Sequence, residues 1–118
     1  MKTFRFLDFR VYGQAKLLYK NIVNFASKIP NYALKNQTER AALSIVLNIA
    51  EGSGKKSDTD FARFLQISLG SVNELVACID LMREFNFIKS YESNNFVAEC
   101  EDIARQLGGF AKKLRNDP

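Results

Sequence analysis

The chain has 118 residues, 47% of them apolar and 25% charged, with a net charge of +4; this is the size of one domain, able to bury roughly two thirds of its unfolded surface, and the balance is far from disordered or collagen-like compositions. There is no histidine to serve as a base near neutral pH, and Cys78 and Cys100 have neither CxxC spacing nor a histidine to complete a metal site, so catalytic, cofactor and metal chemistry find no support and both thiols are expected in the core. No uncharged apolar run of 18 residues exists, and Lys2, Arg5, Asp8 and Arg10 interrupt the opening segment; the expectation is neither a membrane span nor a secretory leader, but a cytoplasmic protein.

Four segments carry helical periodicity and none a strand alternation. The first is predicted from about residue 8 to 29, with Val11, Ala15, Leu18, Ile22, Phe25 and Ile29 recurring at steps of four and three. That is a packing seam. Arg10, Lys16, Lys20 and Lys28 project to its opposite side, and Pro30 is expected to end it. The second, about 34 to 51, is apolar almost all round through Ala41, Ala42, Leu43, Ile45, Val46, Leu47, Ile49 and Ala50, so it needs neighbours on most sides. Gly52 and Gly54 are read as its stop, and Ser57 with Asp60 as a capping-box-like start for the third helix, about 58 to 84.

The third seam is Phe61, Leu65, Ser68, Val72, Leu75, Ile79 and Met82, and Gly70 with Ser71 would admit close approach of another backbone. After a connector, Ser93 is read as the cap of a fourth helix reaching about residue 114. Its seam is Phe96, Cys100, Ile103, Leu107, Phe110 and Leu114, and Gly108-Gly109 weakens its last turns. Four such helices joined by short loops pack most simply as an up-down-up-down bundle, one domain spanning residues 1–118.

Two features bear on function. Gln37, Arg40, Ser44, Asn48 and Glu51 fall within one arc of the otherwise apolar second helix. A buried polar group without a partner costs about 1 to 3 kcal/mol, so this stripe faces water, a hydrogen-bond network, another subunit or a ligand. Charge is the second feature: residues 1–56 carry ten Lys and Arg against three acids, and residues 57–118 seven against ten. Lys55, Lys56 and Arg63, with Lys16 and Lys20 on the first helix, are the best anion-facing candidates. The turn Gly52-Ser53-Gly54-Lys55-Lys56-Ser57 is not a nucleotide loop, because Ile49 and Lys56 break the Walker pattern, Ser57 the dinucleotide one, and the turn follows a helix.

The run from Ala41 through Asn48-Ile49-Ala50-Glu51-Gly52, followed by Arg63-Phe64-Leu65 and Gly70-Ser71-Val72-Asn73-Glu74-Leu75, and opened by Asp8-Phe9-Arg10-Val11-Tyr12, resembles the 23S rRNA intervening-sequence protein family of bacterial four-helix bundles. The resemblance covers about residues 7 to 115. It implies a four-helix bundle assembling into a ring-like homo-oligomer, a pentamer in that family, and it matches Arg40, Asn48, Glu51, Gly52, Arg63, Gly70, Ser71 and Glu74 to the family's motif. Glu39 departs from it, standing where a second basic residue is usual, and the stretch from Pro30 to Gln37 is shortened.

The expected function is a non-enzymatic oligomeric bundle associated with RNA through Lys16, Lys20, Lys55, Lys56 and Arg63. Gln37, Arg40, Ser44, Asn48, Glu51, Gly70, Ser71 and Glu74 are expected to serve as subunit contact or polar network. The alternative is a protein-interaction scaffold, an accessory to a nucleic-acid enzyme such as a reverse transcriptase, with no direct RNA contact.

Overall fold

The computed structural model describes residues 3–116. A 3₁₀ turn, Arg5–Asp8, precedes four helices: α1 (Arg10–Ala26), α2 (Tyr32–Ser53), α3 (Asp58–Glu84) and α4 (Ser90–Leu114). Each helix packs on its two neighbours around the bundle, with α2 and α3 in the most extensive contact and α1 and α4 in the least. Consecutive helices run antiparallel. The start of α1 meets the ends of α2 and α4, since the Arg5 guanidinium donates to the Ser53 carbonyl at 3.2 Å and the Phe9 and Phe110 rings lie 5.4 Å apart. The end of α1 meets the start of α4 through Phe25 and Phe96 at 5.8 Å.

The predicted seams form the core. Val11, Ala15, Leu18, Ile22 and Ile29 are buried, as are Phe61, Leu65, Ser68, Val72, Leu75, Ile79 and Met82, and Cys100, Ile103 and Leu107. The seams drift at helix ends, where Ala26 replaces Phe25 and Ala111 replaces Phe110 as the most buried residue, the aromatics remaining half-buried. A straight helix falls out of phase with a strict 3.5-residue repeat by about 20° per heptad, and small residues take the tightened position. By length and composition alone α3 could cross a membrane, but Phe61, Ala62, Leu65, Val72, Leu75, Ile79 and Met82 are buried in the bundle core.

The bounds of α3 and the end of α4 fall where the sequence reading puts them, while the other helix ends differ, because caps and not periodicity set them. The first helix stops at Ala26, before Ile29, and is led by the separate 3₁₀ turn. Asn31 caps α2, its side chain accepting from the Leu34 amide at 2.9 Å, so α2 begins earlier than Leu34. Ser57 caps α3 as expected, accepting from the Asp60 amide at 3.1 Å. Asn86, in the left-handed region at φ 60°, closes α3, with the Phe87 amide donating to the Met82 carbonyl at 2.8 Å. Ser93 is not a cap but a buried residue inside α4; the helix begins at Ser90, where the Glu92 carboxylate accepts from the Lys89 amide at 3.2 Å. Gly108 and Gly109 lie within a continuous helix.

Gly52 is not a stop either. The helix continues through it to Ser53, and a Cβ on Gly52 would lie 2.7 Å from the Phe64 Cβ and 3.0 Å from the Phe61 ring. Its missing side chain is what lets α2 approach the first turns of α3. Gly70, by contrast, has nothing within 4 Å of such a Cβ, so it admits no close neighbour within the protomer; the tight α2–α3 crossing there uses Ser68, whose hydroxyl donates to the Ile45 carbonyl at 2.8 Å.

Alanine at Gly52 must push apart two backbone-anchored groups, and overpacking of this kind costs about 1 to 3 kcal/mol, outweighing alanine's advantage of roughly 1 kcal/mol in a helix interior. Urea unfolding should therefore show Gly52→Ala destabilised, while Gly109→Ala, with open space around it, gains about 1 kcal/mol. Equal effects at the two sites would contradict the close approach.

Candidate nucleic-acid interface

The link between α2 and α3 is four residues long, Gly54 to Ser57, and carries Lys55 and Lys56 at one end of the bundle. Phe64, nearly two helical turns into α3, lies half-buried beside Gly52 and carries two cations: the Lys55 ammonium 4.8 Å and the Arg63 guanidinium 4.7 Å from its ring centroid. Arg63 also reaches Asp60 at 3.1 Å, and Lys55 reaches Glu51 at 4.0 Å. Exposed pairs of these kinds contribute about 1 kcal/mol or less each. They orient the cations without withdrawing them from solvent. Lys56 is exposed and meets no carboxylate among the described residues.

Lys16 and Lys20 do not join this group. They stand on the outer side of α1, roughly 9 and 15 Å along the axis from Arg10 at 1.5 Å per residue, with the Lys16 ammonium 5.0 Å from the Tyr12 ring and Lys20 exposed. The structure instead adds Arg5, which periodicity cannot find because it precedes the helix. Besides its bond to the Ser53 carbonyl, its guanidinium lies 5.3 Å from the Phe61 ring and 6.0 Å from Phe9, so it satisfies the C-terminus of α2 while covering aromatic surface.

The polar stripe divides as well. Ser44 and Ser71 hydroxyls meet at 2.7 Å across the α2–α3 seam, the Asn48 amide donates to the Ser44 carbonyl at 2.9 Å and hydroxyl at 3.0 Å, and the Gln37 amide donates to the Glu74 carboxylate. Arg40 lies elsewhere, beside Tyr19, Asn36, Glu39 and Leu43 in a depression between α1 and α2, and Glu51 turns to Lys55. Two large apolar residues share the face of the seam, Leu47 at 53% and Ile67 at 43% exposure, and Gly70 is exposed beside them. The apolar circumference of α2 is thus only partly covered.

A groove of about 160 Å³ between α1 and α4 is lined by Gln14, Leu17, Leu18, Glu99, Asp102 and Ile103. The Gln14 amide donates to Asp102 at 3.1 Å, Gln106 bridges both, and partial loss of hydration raises the Glu99 carboxyl above its ordinary pKa. Both cysteines are free and buried; burial pushes the Cys78 thiol up and the Cys100 thiol to about 12, which keeps Cys100 protonated and without nucleophilic character at neutral pH. Among the described residues no three His, Cys, Asp or Glu side chains gather as a metal site.

The model of the 23S rRNA-intervening sequence protein family matches residues 7–109. The chain belongs to that family. No curated protein matches it. A solved structure of a protein of unknown function from the S23 ribosomal protein family of Bacteroides thetaiotaomicron superposes with a TM-score of 0.83, covering 86% of this chain and 98% of that one at 23% identity. At that identity the likeness establishes the fold: the four-helix bundle is shared by an intervening-sequence protein and an S23-family protein. The family match spans both the α2–α3 seam and the Gly54–Ser57 link.

Proposed function

We propose that this intervening-sequence protein is a non-enzymatic, cytoplasmic, bacterial homo-oligomer that associates with RNA through phosphate contacts. The observation that carries the reading is the α2–α3 link, where Lys55 and Arg63 are held on the Phe64 ring with their charge toward solvent and Lys56 stands open beside them. Cations presented in this way suit a polyanion and read no base. Lys16 and Lys20 form a second, separate group on α1.

Neutralising phosphates releases counterions, so the binding weakens steeply with salt. In gel shift or filter binding, structured RNA is retained at about 50 mM salt and largely lost by about 200 mM. Absence of retention at the lower salt would refute the association.

The assembly surface is the α2–α3 face, with Leu47 and Ile67 against the neighbouring subunit, the Ser44–Ser71–Asn48 network as its polar centre and Gly70 as the point of close approach; five subunits is the number the family pattern favours. Glutamate at both Leu47 and Ile67 is tolerated by the protomer, where both side chains already face solvent, and cannot be buried between subunits. Light scattering of the double variant should show the mass falling toward 13.4 kDa with helicity unchanged. A wild-type chain already of that mass would end the oligomeric reading.

A further inference from the structure

We infer that the RNA seats on the pole of the bundle formed by the start of α1, the α2–α3 link and the last turn of α4, and that this pole grips the phosphate backbone of a double-helical RNA segment, not a single strand. The inference rests on the RNA reading above and extends its centre from the α2–α3 link to the whole of that end of the molecule.

Topology assembles the pole from three distant stretches of chain. The Phe110 ring lies 5.4 Å from Phe9 and 5.1 Å from Phe61, which brings the exposed Lys112, Lys113 and Arg115 of α4 to the end that holds the α2–α3 link. Arg10 lines the same depression as Gly109 and Phe110, and Arg5 bridges to Ser53. Among the described residues these make, with Lys55, Lys56 and Arg63, eight cations against the four carboxylates of Asp8, Glu51, Asp58 and Asp60, a surplus of four. Helix C-termini account for part of this placement, since Lys112 and Lys113 oppose the dipole of α4 and Arg5 caps α2. The C-cap position of Arg115 falls under the same explanation, but Lys56 and Arg10, the latter at the first position of α1, do not.

The chemistry of the pole selects the partner. A small phosphate ligand needs a cavity with polar walls, whereas the depression here is lined mainly by Phe9, Val11, Gly109 and Phe110. A single strand needs open aromatic faces for successive bases, and the rings at this end are already engaged: Phe64 by Lys55 and Arg63, and Phe9, Phe61 and Phe110 by one another. Among the described residues at this end Phe4 is the most exposed ring, at 62%, and it too packs edge-on against Phe6. A double helix presents roughly one phosphate per 1.7 Å of its axis, and duplex RNA is recognised through backbone and shape, which a spread of exposed cations can meet.

The test is fluorescence anisotropy with a labelled RNA hairpin and an unstructured strand of equal length, between about 50 and 200 mM salt. The wild type is expected to bind the hairpin more tightly. The variant Lys112→Ala, Lys113→Ala, Arg115→Ala should lose roughly tenfold in hairpin affinity at the lower salt and flatten the log–log salt slope by about one for each phosphate no longer neutralised. The variant Lys16→Ala, Lys20→Ala should lose roughly threefold or less. Full affinity in the α4 variant, an equal or larger loss in the α1 variant, or tighter binding of the unstructured strand would overturn the pole while leaving RNA association standing. A wild type that binds neither probe would overturn both.

Discussion

The contact on which the arrangement depends is the close crossing of α2 and α3. It is made possible by a missing side chain at Gly52 and a small one at Ser68, and it lets Phe61, Leu65, Leu75, Ile45 and Ile49 bury completely. Each such side chain contributes roughly 1.5 to 3 kcal/mol by leaving water, several times what any exposed ion pair in the molecule can supply. Packing therefore fixes the geometry, and the charged groups take the positions that packing leaves them. The four-residue link from Gly54 to Ser57 is short because the two helices are already side by side. The Phe64 ring that orients Lys55 and Arg63 is held in place by the same crossing.

From this crossing the molecule acquires two different surfaces. Along the length of α2 and α3 lies a seam in which polar groups satisfy one another, through Ser44, Ser71, Asn48, Gln37 and Glu74, flanked by the exposed apolar Leu47 and Ile67. At the end of the bundle lies a cluster of cations over an interlocked set of phenylalanines. The seam joins self-satisfied polar groups to exposed apolar ones, suited to another protein surface; the end is rich in cations, suited to a polyanion. The reading proposed for the chain assigns one task to each, and the family to which the chain belongs spans both.

The helices are legible in the sequence because three apolar repeats at alternating steps of four and three, beside a second segment apolar almost all round, have no other simple packing. Their ends are less so. Asn31, Asn86 and the Lys89–Glu92 pair cap helices through local hydrogen bonds that leave no periodic trace, and Ser93, which has the residue type of a cap, is buried inside α4. Gly52 shows the ambiguity most plainly, since glycine both ends helices and lets helices meet, and only the presence of Phe61 and Phe64 opposite it distinguishes the two. The polar stripe is legible as a stripe, yet Arg40 and Glu51 belong to other neighbourhoods. The gathering of Arg5, Lys56 and Lys113 at one end cannot be read along the chain at all, because it follows from the antiparallel order of the helices.

If the α2–α3 crossing holds the functional surfaces in place, it must be the most stable part of the bundle, and native-state hydrogen exchange reads that stability residue by residue. Amides of Ala42–Ile49 and Leu65–Ile79 should exchange only through global unfolding, with the middle of α1 and of α4 opening at lower free energy, since those two helices pack least extensively on each other. Exchange of α2 or α3 ahead of α1 and α4 would contradict it.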